Sequence, residues 1–220
     1  MKLSPRLLKL PVNTSGNDFV VGDIHGEVSK LRKQLNEIGF NYKTDRLICV
    51  GDLIDRGAES PEALALLNES WFYSVVGNHE VLMVGGLKYQ NNKQRMTWIE
   101  NGGNWIMNTQ SSQWPIWFDQ IEALPLGIEV TTASGTCYGI IHADYPRDHW
   151  GDFEKMSRED CERAVWSREN FRTGAPHSIK GIDWIIHGHN VSDGLRILGN
   201  RVYIENGAYL GNDFIIKALK

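Results

Sequence analysis

"RLICVGDLIDRG", residues 46–57, decides how the rest of the chain is read. Arg46 to Val50 is a short, largely apolar run that reads as a buried strand. It stops at Gly51 and delivers Asp52, Asp55 and Arg56 within five residues. Alone, this is compatible with an ordinary turn, because Gly and Asp are turn residues. Its neighbours change that reading. Upstream, "FVV" (19–21) runs into "GDIHG" with Asp23 and His25; downstream, "WFYSVV" (71–76) runs into "GNHE" with Asn78 and His79.

Helices are expected between these strands. Val28, Leu31, Leu35 and Ile38 fall on one helical face, and Gly39 stands where a left-handed C-cap belongs. Ser60-Pro61 opens the next helix as N-cap and first-turn proline, with Leu64, Leu66 and Leu67 inside it. Strand, helix, strand at roughly 30-residue spacing is the βαβ signature and predicts parallel pairing.

From about residue 80 to 125 the text is helical and carries Trp98, Trp105, Trp114 and Trp117. These are expected in the core, with an overhang above a site as the alternative. Strand-like runs follow at 127–131, 136–142, 183–187, 195–198, 201–205 and 213–219, interrupted by a helix near 158–171. The second half therefore reads as largely antiparallel and the whole as a mixed two-sheet α/β architecture. No repeat, low-complexity tract or linker divides the chain, so one domain over residues 1–220 is expected.

A hydrophobic content of 41% and a charged content of 23% are those of a globular protein. The net charge of −4 argues against a nucleic-acid binder. An anionic substrate would need placed arginines or bound metal. Cys49, Cys137 and Cys161 form no CxxC pair and suit a reducing compartment. "MKLSPRLLKLPV" is broken by Pro5, Arg6 and Lys9, and no run approaches a membrane span, so a cytoplasmic protein without a membrane partner is expected.

Two later strand-like runs also end in polar residues: "GIIHADYP" with His142 and Asp144, and "DWIIHGHN" with His187 and His189. Ligands of α/β sheets gather beyond the carboxyl ends of strands, so five such ends point to one crevice. Asp, His and Asn without Cys favour divalent manganese, iron or zinc. Asp52, on the middle of three strands, could bridge two ions, and two ions would clamp a phosphate for in-line displacement.

"GDIHG", "GDLIDRG", "GNHE", "HADYP", "WSRE" and "GH", in this order, resemble the calcineurin-like metallophosphoesterase superfamily. Within it the text is most similar to the phage and enterobacterial branch of the serine/threonine phosphoprotein phosphatases. The resemblance runs from Phe19 to Ile216 and includes "WIENGGNW" and "YIENGAYLGN". It implies two mixed β-sheets sandwiched by helices, a four-layer αββα fold. One metal would be held by Asp23, His25 and Asp52; the second would share Asp52 and add Asn78, His142 and His189. Two manganese ions are expected, with iron or zinc as alternatives. A water bridging the ions would attack phosphorus directly. His79 would protonate the leaving group, Asp55 would orient His79, and Arg56 and Arg168 would grip the phosphoryl oxygens, with Asn78 also facing substrate.

The substrate so implied is a phosphoserine or phosphothreonine protein or peptide, with phosphotyrosine or phosphohistidine as extensions. Hydrolysis of diadenosine tetraphosphate or another nucleotide anhydride is the alternative, and a non-catalytic metal-binding scaffold a third. Arg168 could instead pair with a surface carboxylate. His187 is open between a supporting and a core role, while His149 and His177 are expected in solvent. "HGHN" where relatives carry an apolar residue before "GHT", and "ENGA" for "DTGA", put local tuning in question.

Overall fold

A computed structural model describes residues 1–220. The first strands are β1 (Leu7–Leu10), β2 (Asp18–Val21), β3 (Arg46–Cys49), β4 (Phe72–Ser74) and β5 (Gly127–Thr131). The others are β6 (Cys137–Ile141), β7 (Trp184–His187), β8 (Arg196–Leu198), β9 (Arg201–Tyr203) and β10 (Ile216–Ala218). Helices α1 (Val28–Glu37), α2 (Ser60–Ala65), α3 (Asn78–Leu87) and α4 (Asn92–Glu100) precede α5 (Trp114–Ala123), α6 (Arg158–Trp166) and α7 (Glu169–Thr173). No helix is long and apolar enough to cross a membrane.

A four-stranded sheet has the order β10-β2-β3-β4 and a six-stranded sheet the order β1-β5-β6-β7-β9-β8. As expected, β2, β3 and β4 run parallel. The second half departs from the antiparallel expectation, because β6 pairs β7 and β7 pairs β9 in parallel. The reason is the connection: α6 and α7 fill the crossover between β6 and β7, and such a crossover permits parallel pairing. Only β5–β6, β8–β9 and β10–β2 are antiparallel.

The period of two along each strand sorts side chains into layers. Val20 and Ile48 meet Ile128, Val130, Ile140 and Ile186 between the sheets. Their neighbours Val21, Leu47 and Cys49 face outward onto Leu31 and Leu35 of α1 and Leu64 of α2. On the far side, Ile141 and Ile185 face Ala164 and Val165 of α6. Each such aliphatic, fully buried, contributes about 1.5–3 kcal/mol, and the alternation fixes register because a one-residue slip would exchange the two faces.

Local boundaries differ from the sequence reading at several points. Ile38 is the exposed C-cap of α1 and not part of its buried face. Glu59, not Ser60, occupies the N-cap of α2; the Ser60 hydroxyl instead accepts the Asp55 amide at 2.9 Å. Leu66 and Leu67 lie in a 3-10 turn after that helix. The helix near 158–171 is two helices, interrupted at Ser167-Arg168. Trp98 and Trp117 are buried in the core, as expected, with Trp105 and Trp114 at its edge.

Candidate metal centre

The carboxyl ends of β2, β3 and β4 meet those of β6 and β7 across the seam between the sheets. Asp23, His25, Asp52, Asp55, Asn78, His79, His142 and His189 are all buried there. The backbone that presents them is bent: His25, Asp52, Asp55, Arg56 and His189 have φ of 45°, 48°, 76°, 72° and 61°. Left-handed conformations cost non-glycine residues about 1–3 kcal/mol each and persist only where surroundings over-determine them. The Asp52 carbonyl accepts the amides of Ile24 and His25 at 3.1 and 2.9 Å. The Glu80 carboxylate accepts those of Asp52, Leu53 and Gly77 at 3.0, 2.8 and 2.9 Å. Gly188 has no room for a side chain, since a Cβ there would collide with Asp23 Oδ1 and Val50.

Backbone carbonyls set the imidazole tautomers. His25 Nδ1–H donates to Ile54 at 2.9 Å and His142 Nδ1–H to Val50 at 2.8 Å, so both Nε2 lone pairs face inward. His189 is reversed: its Nε2–H donates to Trp166 at 3.3 Å and Nδ1 remains for a ligand. Around Asp52 Oδ2 stand His142 Nε2 at 3.4 Å, His25 Nε2 at 3.8 Å and His79 Nε2 at 3.9 Å. Asn78 Oδ1 lies 3.0 Å from His142 Nε2.

This donor set fits divalent cations. Several buried lone pairs converge at distances too long for good hydrogen bonds, an arrangement a positive ion reconciles. Two overlapping groups, His25–Asp52–His79 and Asp52–His142–His189, share Asp52, each with its donor atoms within 4.8 Å. Asp23 sits beside the first group, 4.0 Å from His25, and accepts the His189 amide at 3.0 Å. Burial, then the charges of Glu205 and Asp52, pushes the Asp23 carboxyl well above its ordinary range. Burial also opposes ionisation of Asp52, but the imidazoles of His142 and His79 outweigh it and hold that carboxyl low. Burial, with His142 nearby, lowers His189 to about 2, which leaves it neutral and able to ligate.

A second cluster adjoins these donors. His79 Nδ1–H donates to Asp55 Oδ2 at 2.6 Å. Burial opposes charge on His79, yet Asp52 and Asp55 prevail and raise its pKa. Arg56 reaches His25 Nε2 at 2.7 Å and His79 Nε2 at 3.3 Å, and its guanidinium lies 4.3 Å from the ring centre of Tyr209. Arg168 Nη1 donates to the His189 carbonyl at 3.0 Å and Asn190 Oδ1 at 3.1 Å, so it does not pair with a surface carboxylate. A cavity of about 140 Å³ lies among Asp52, Arg56, Asn78, His79, Arg168 and His189.

A model of the calcineurin-like phosphoesterase family matches residues 19–193, a span that holds every one of these residues except Tyr209 and Glu205. The chain belongs to the calcineurin-like phosphoesterase family. It is 37% identical over 211 residues to serine/threonine-protein phosphatase 2 of Salmonella typhimurium, covering 92% of each chain. A symmetrical bis(5'-nucleosyl)-tetraphosphatase of Proteus mirabilis is 36% identical over 69 residues, 30% of this chain and 25% of that one. A solved structure of a proposed diadenosine tetraphosphatase superposes with a TM-score of 0.67, at 19% identity and 97% coverage of both chains. At that identity the likeness speaks for the shared fold alone.

This phosphoesterase thus carries residues that could hold a dinuclear metal site, and it is a hydrolase. His187 is a core histidine: buried, donating through Nδ1 to Ile141 at 3.1 Å and stacked on Tyr203. His149 and His177 are exposed, as expected. The departures have local causes. Asn190 gives Arg168 an acceptor, and Glu205 accepts the amides of Asp23 at 2.9 Å and Gly207 at 2.7 Å. Sequence reasoning missed Glu80 and Glu205 as backbone anchors, Tyr209 against Arg56, and Leu82, Asn101 and Trp166 in the cavity wall. The signal for Glu80 was present in its place three residues after Gly77, the capping-box position.

Proposed function

We propose that this phosphoesterase removes phosphate from phosphoserine and phosphothreonine in proteins, with phosphotyrosine and phosphohistidine as extensions of the range. The His79–Asp55 pair carries this reading. An alkoxide leaving group needs a proton, and an imidazolium held through Nδ1–H by Asp55, with its Nε2–H toward the cavity, can give one. The similarity to a serine/threonine-protein phosphatase over 92% of each chain supports it.

Asp23, His25 and Asp52 would hold one divalent ion, and Asp52, Asn78, His142 and His189 a second, manganese being the expected metal. Bound there, the ions supply Lewis acidity at the phosphoryl oxygens and lower the pKa of water. Arg56 and Arg168 fix the phosphoryl group from the cavity wall by charge-assisted hydrogen bonds. As the oxygen of a water molecule bonds to phosphorus and gives up a proton to solvent, the bond to the departing oxygen breaks; its electron pair stays on that oxygen, which takes the Nε2 proton of protonated His79.

Anhydride hydrolysis is the competing reading, and the tetraphosphatase relative matches only 30% of this chain. Metal-stripped protein titrated with Mn, then Zn and Mg, is assayed on para-nitrophenyl phosphate beside the bis-ester. A phosphoserine peptide and diadenosine tetraphosphate are then compared at equal enzyme. Mn-dependent monoester cleavage with peptide turnover supports the proposal. Preference for the tetraphosphate, or silence with every metal, overturns it.

A further inference from the structure

Asp55 receives more than its histidine. Trp98 Nε1–H donates to Asp55 Oδ2 at 2.8 Å and Trp105 Nε1–H to Asp55 Oδ1 at 2.7 Å. With His79 on Oδ2, one buried carboxylate accepts three side-chain N–H donors through both oxygens. An indole N–H can only donate, so this cage admits Asp55 only as an acceptor and leaves it one orientation. Asp55 in turn accepts the hydrogen bond of His79 Nδ1–H, which keeps Nε2 toward the cavity.

The segment carrying these indoles is shaped for that contact. Trp98 lies in the last turn of α4, Trp105 lies in the 3-10 turn Gly103–Asn108, and Gly102 caps that turn. A Cβ on Gly102, whose φ is 109°, would fall 2.6 Å from the Arg56 amide nitrogen. One on Gly103 would fall 2.5 Å from the Trp98 ring. Gly102 thus lets the loop lie directly on Arg56, and Gly103 lets it close over the Trp98 ring. The two indoles then lock edge to face, 6.2 Å between centres at 87°, and Trp105 packs on Trp117 at 5.6 Å. Core packing alone would not require two indole nitrogens to converge on one carboxylate.

We propose that Trp98 and Trp105 are positioning residues that clamp Asp55 and thereby aim His79 at the leaving group. The inference rests on the reading of His79 as the proton donor. An aimed proton matters in proportion to how poor the leaving group is, so the indole hydrogen bonds should register with alkyl phosphates and little with activated aryl phosphates.

Trp105→Phe and Trp98→Phe keep a ring and delete the N–H. Trp114→Phe serves as control, because its indole donates at 2.9 Å to Thr109 instead. For each variant, kcat and KM are measured on a phosphoserine peptide and on para-nitrophenyl phosphate in Mn. Either clamp variant should lose about 10-fold or more in kcat on the peptide but no more than about 3-fold on the aryl ester, at unchanged KM. The control should show no such split. Equal loss on both substrates, or an equal split in Trp114→Phe, overturns the clamp and leaves a packing role. His79→Asn separates the premises: if it shows no leaving-group split while the wild type is active, the reading of His79 fails rather than the clamp. A wild type inactive on monoesters would sink the proposed function itself.

Discussion

Asp144 and Arg201 are 1% and 2% exposed, and Arg201 Nη1 donates to Asp144 Oδ1. Asn170 Nδ2 reaches both oxygens of the same carboxylate at 3.0 and 2.8 Å, and Arg201 Nη2 donates to the Tyr145 carbonyl at 2.9 Å. Asp144→Ala would leave a guanidinium inside the protein with one carbonyl as its partner. Breaking a buried pair by removing one member costs about 3–5 kcal/mol, because the survivor keeps its desolvation penalty without its attraction. At this chain length 1 kcal/mol moves Tm by roughly 2–4 °C, so a fall of about 6–20 °C is expected. The double variant Asp144→Leu with Arg201→Met removes both charges and should recover most of that loss, to within about 2 kcal/mol of the parent. Urea denaturation of the parent, Asp144→Leu, Arg201→Met and the double variant, with midpoints and slopes compared, closes the cycle. A single variant costing under about 1 kcal/mol would refute the argument. So would a double variant whose cost equals the sum of the singles, since the pair would then lack the coupling its geometry requires.

Gly188→Ala, which drives a methyl into Asp23 Oδ1, should cut activity about 100-fold and weaken divalent binding about 10-fold by calorimetry. A chelator should abolish hydrolysis. Relative to protein with metal at 100 times its Kd, worth about 2.7 kcal/mol, it should lower Tm by roughly 5–11 °C. Asp160 accepts Arg147 and the Ser157 amide at the start of α6. Burial works against its charge, but these bonds win and depress its pKa. A depressed carboxyl stabilises above its unfolded value of about 3.9 and loses that contribution as pH falls through the folded pKa. Asp160→Asn should therefore cost about 1 kcal/mol at pH 7, a gap that narrows in thermal melts as pH falls below the ordinary carboxylate range.

The parallel half of the fold was legible because each strand, its following helix and its polar end lie close together in the chain. The candidate donors were legible for the same reason, since Asp23, Asp52 and Asn78 each lie just after a strand. Less legible was whatever depends on partners far away in sequence. β1 is four residues whose pairing with β5 lies about 120 positions downstream, and "LLKL" beside Pro5 carries no alternation that marks it. The directions of β6, β7 and β9 depend on how α6 and α7 cross between strands, which periodicity does not encode. Trp98 and Trp105 read as core from their apolar bodies; their N–H groups declare a second task only once Asp55 is beside them. Glu205 likewise needed the Asp23 amide, 182 residues away, to explain it.

The two sheets end in strands drawn from opposite regions of the chain: β1 borders the six-stranded sheet and β10 the four-stranded one. Each carries a single outward lysine, Lys9 with its side chain 66% exposed and Lys217 also exposed. Unpaired strand borders invite other chains to add on, and a lysine there makes such addition costly. Neither residue touches the metal centre. Their replacement by valine should leave catalysis intact while making the protein self-associate, most of all during refolding, when both borders are bare. Light scattering from dilute refolding mixtures of Lys9→Val/Lys217→Val would register this, and a mixture as clear as the parent would show that these two charges do not guard solubility.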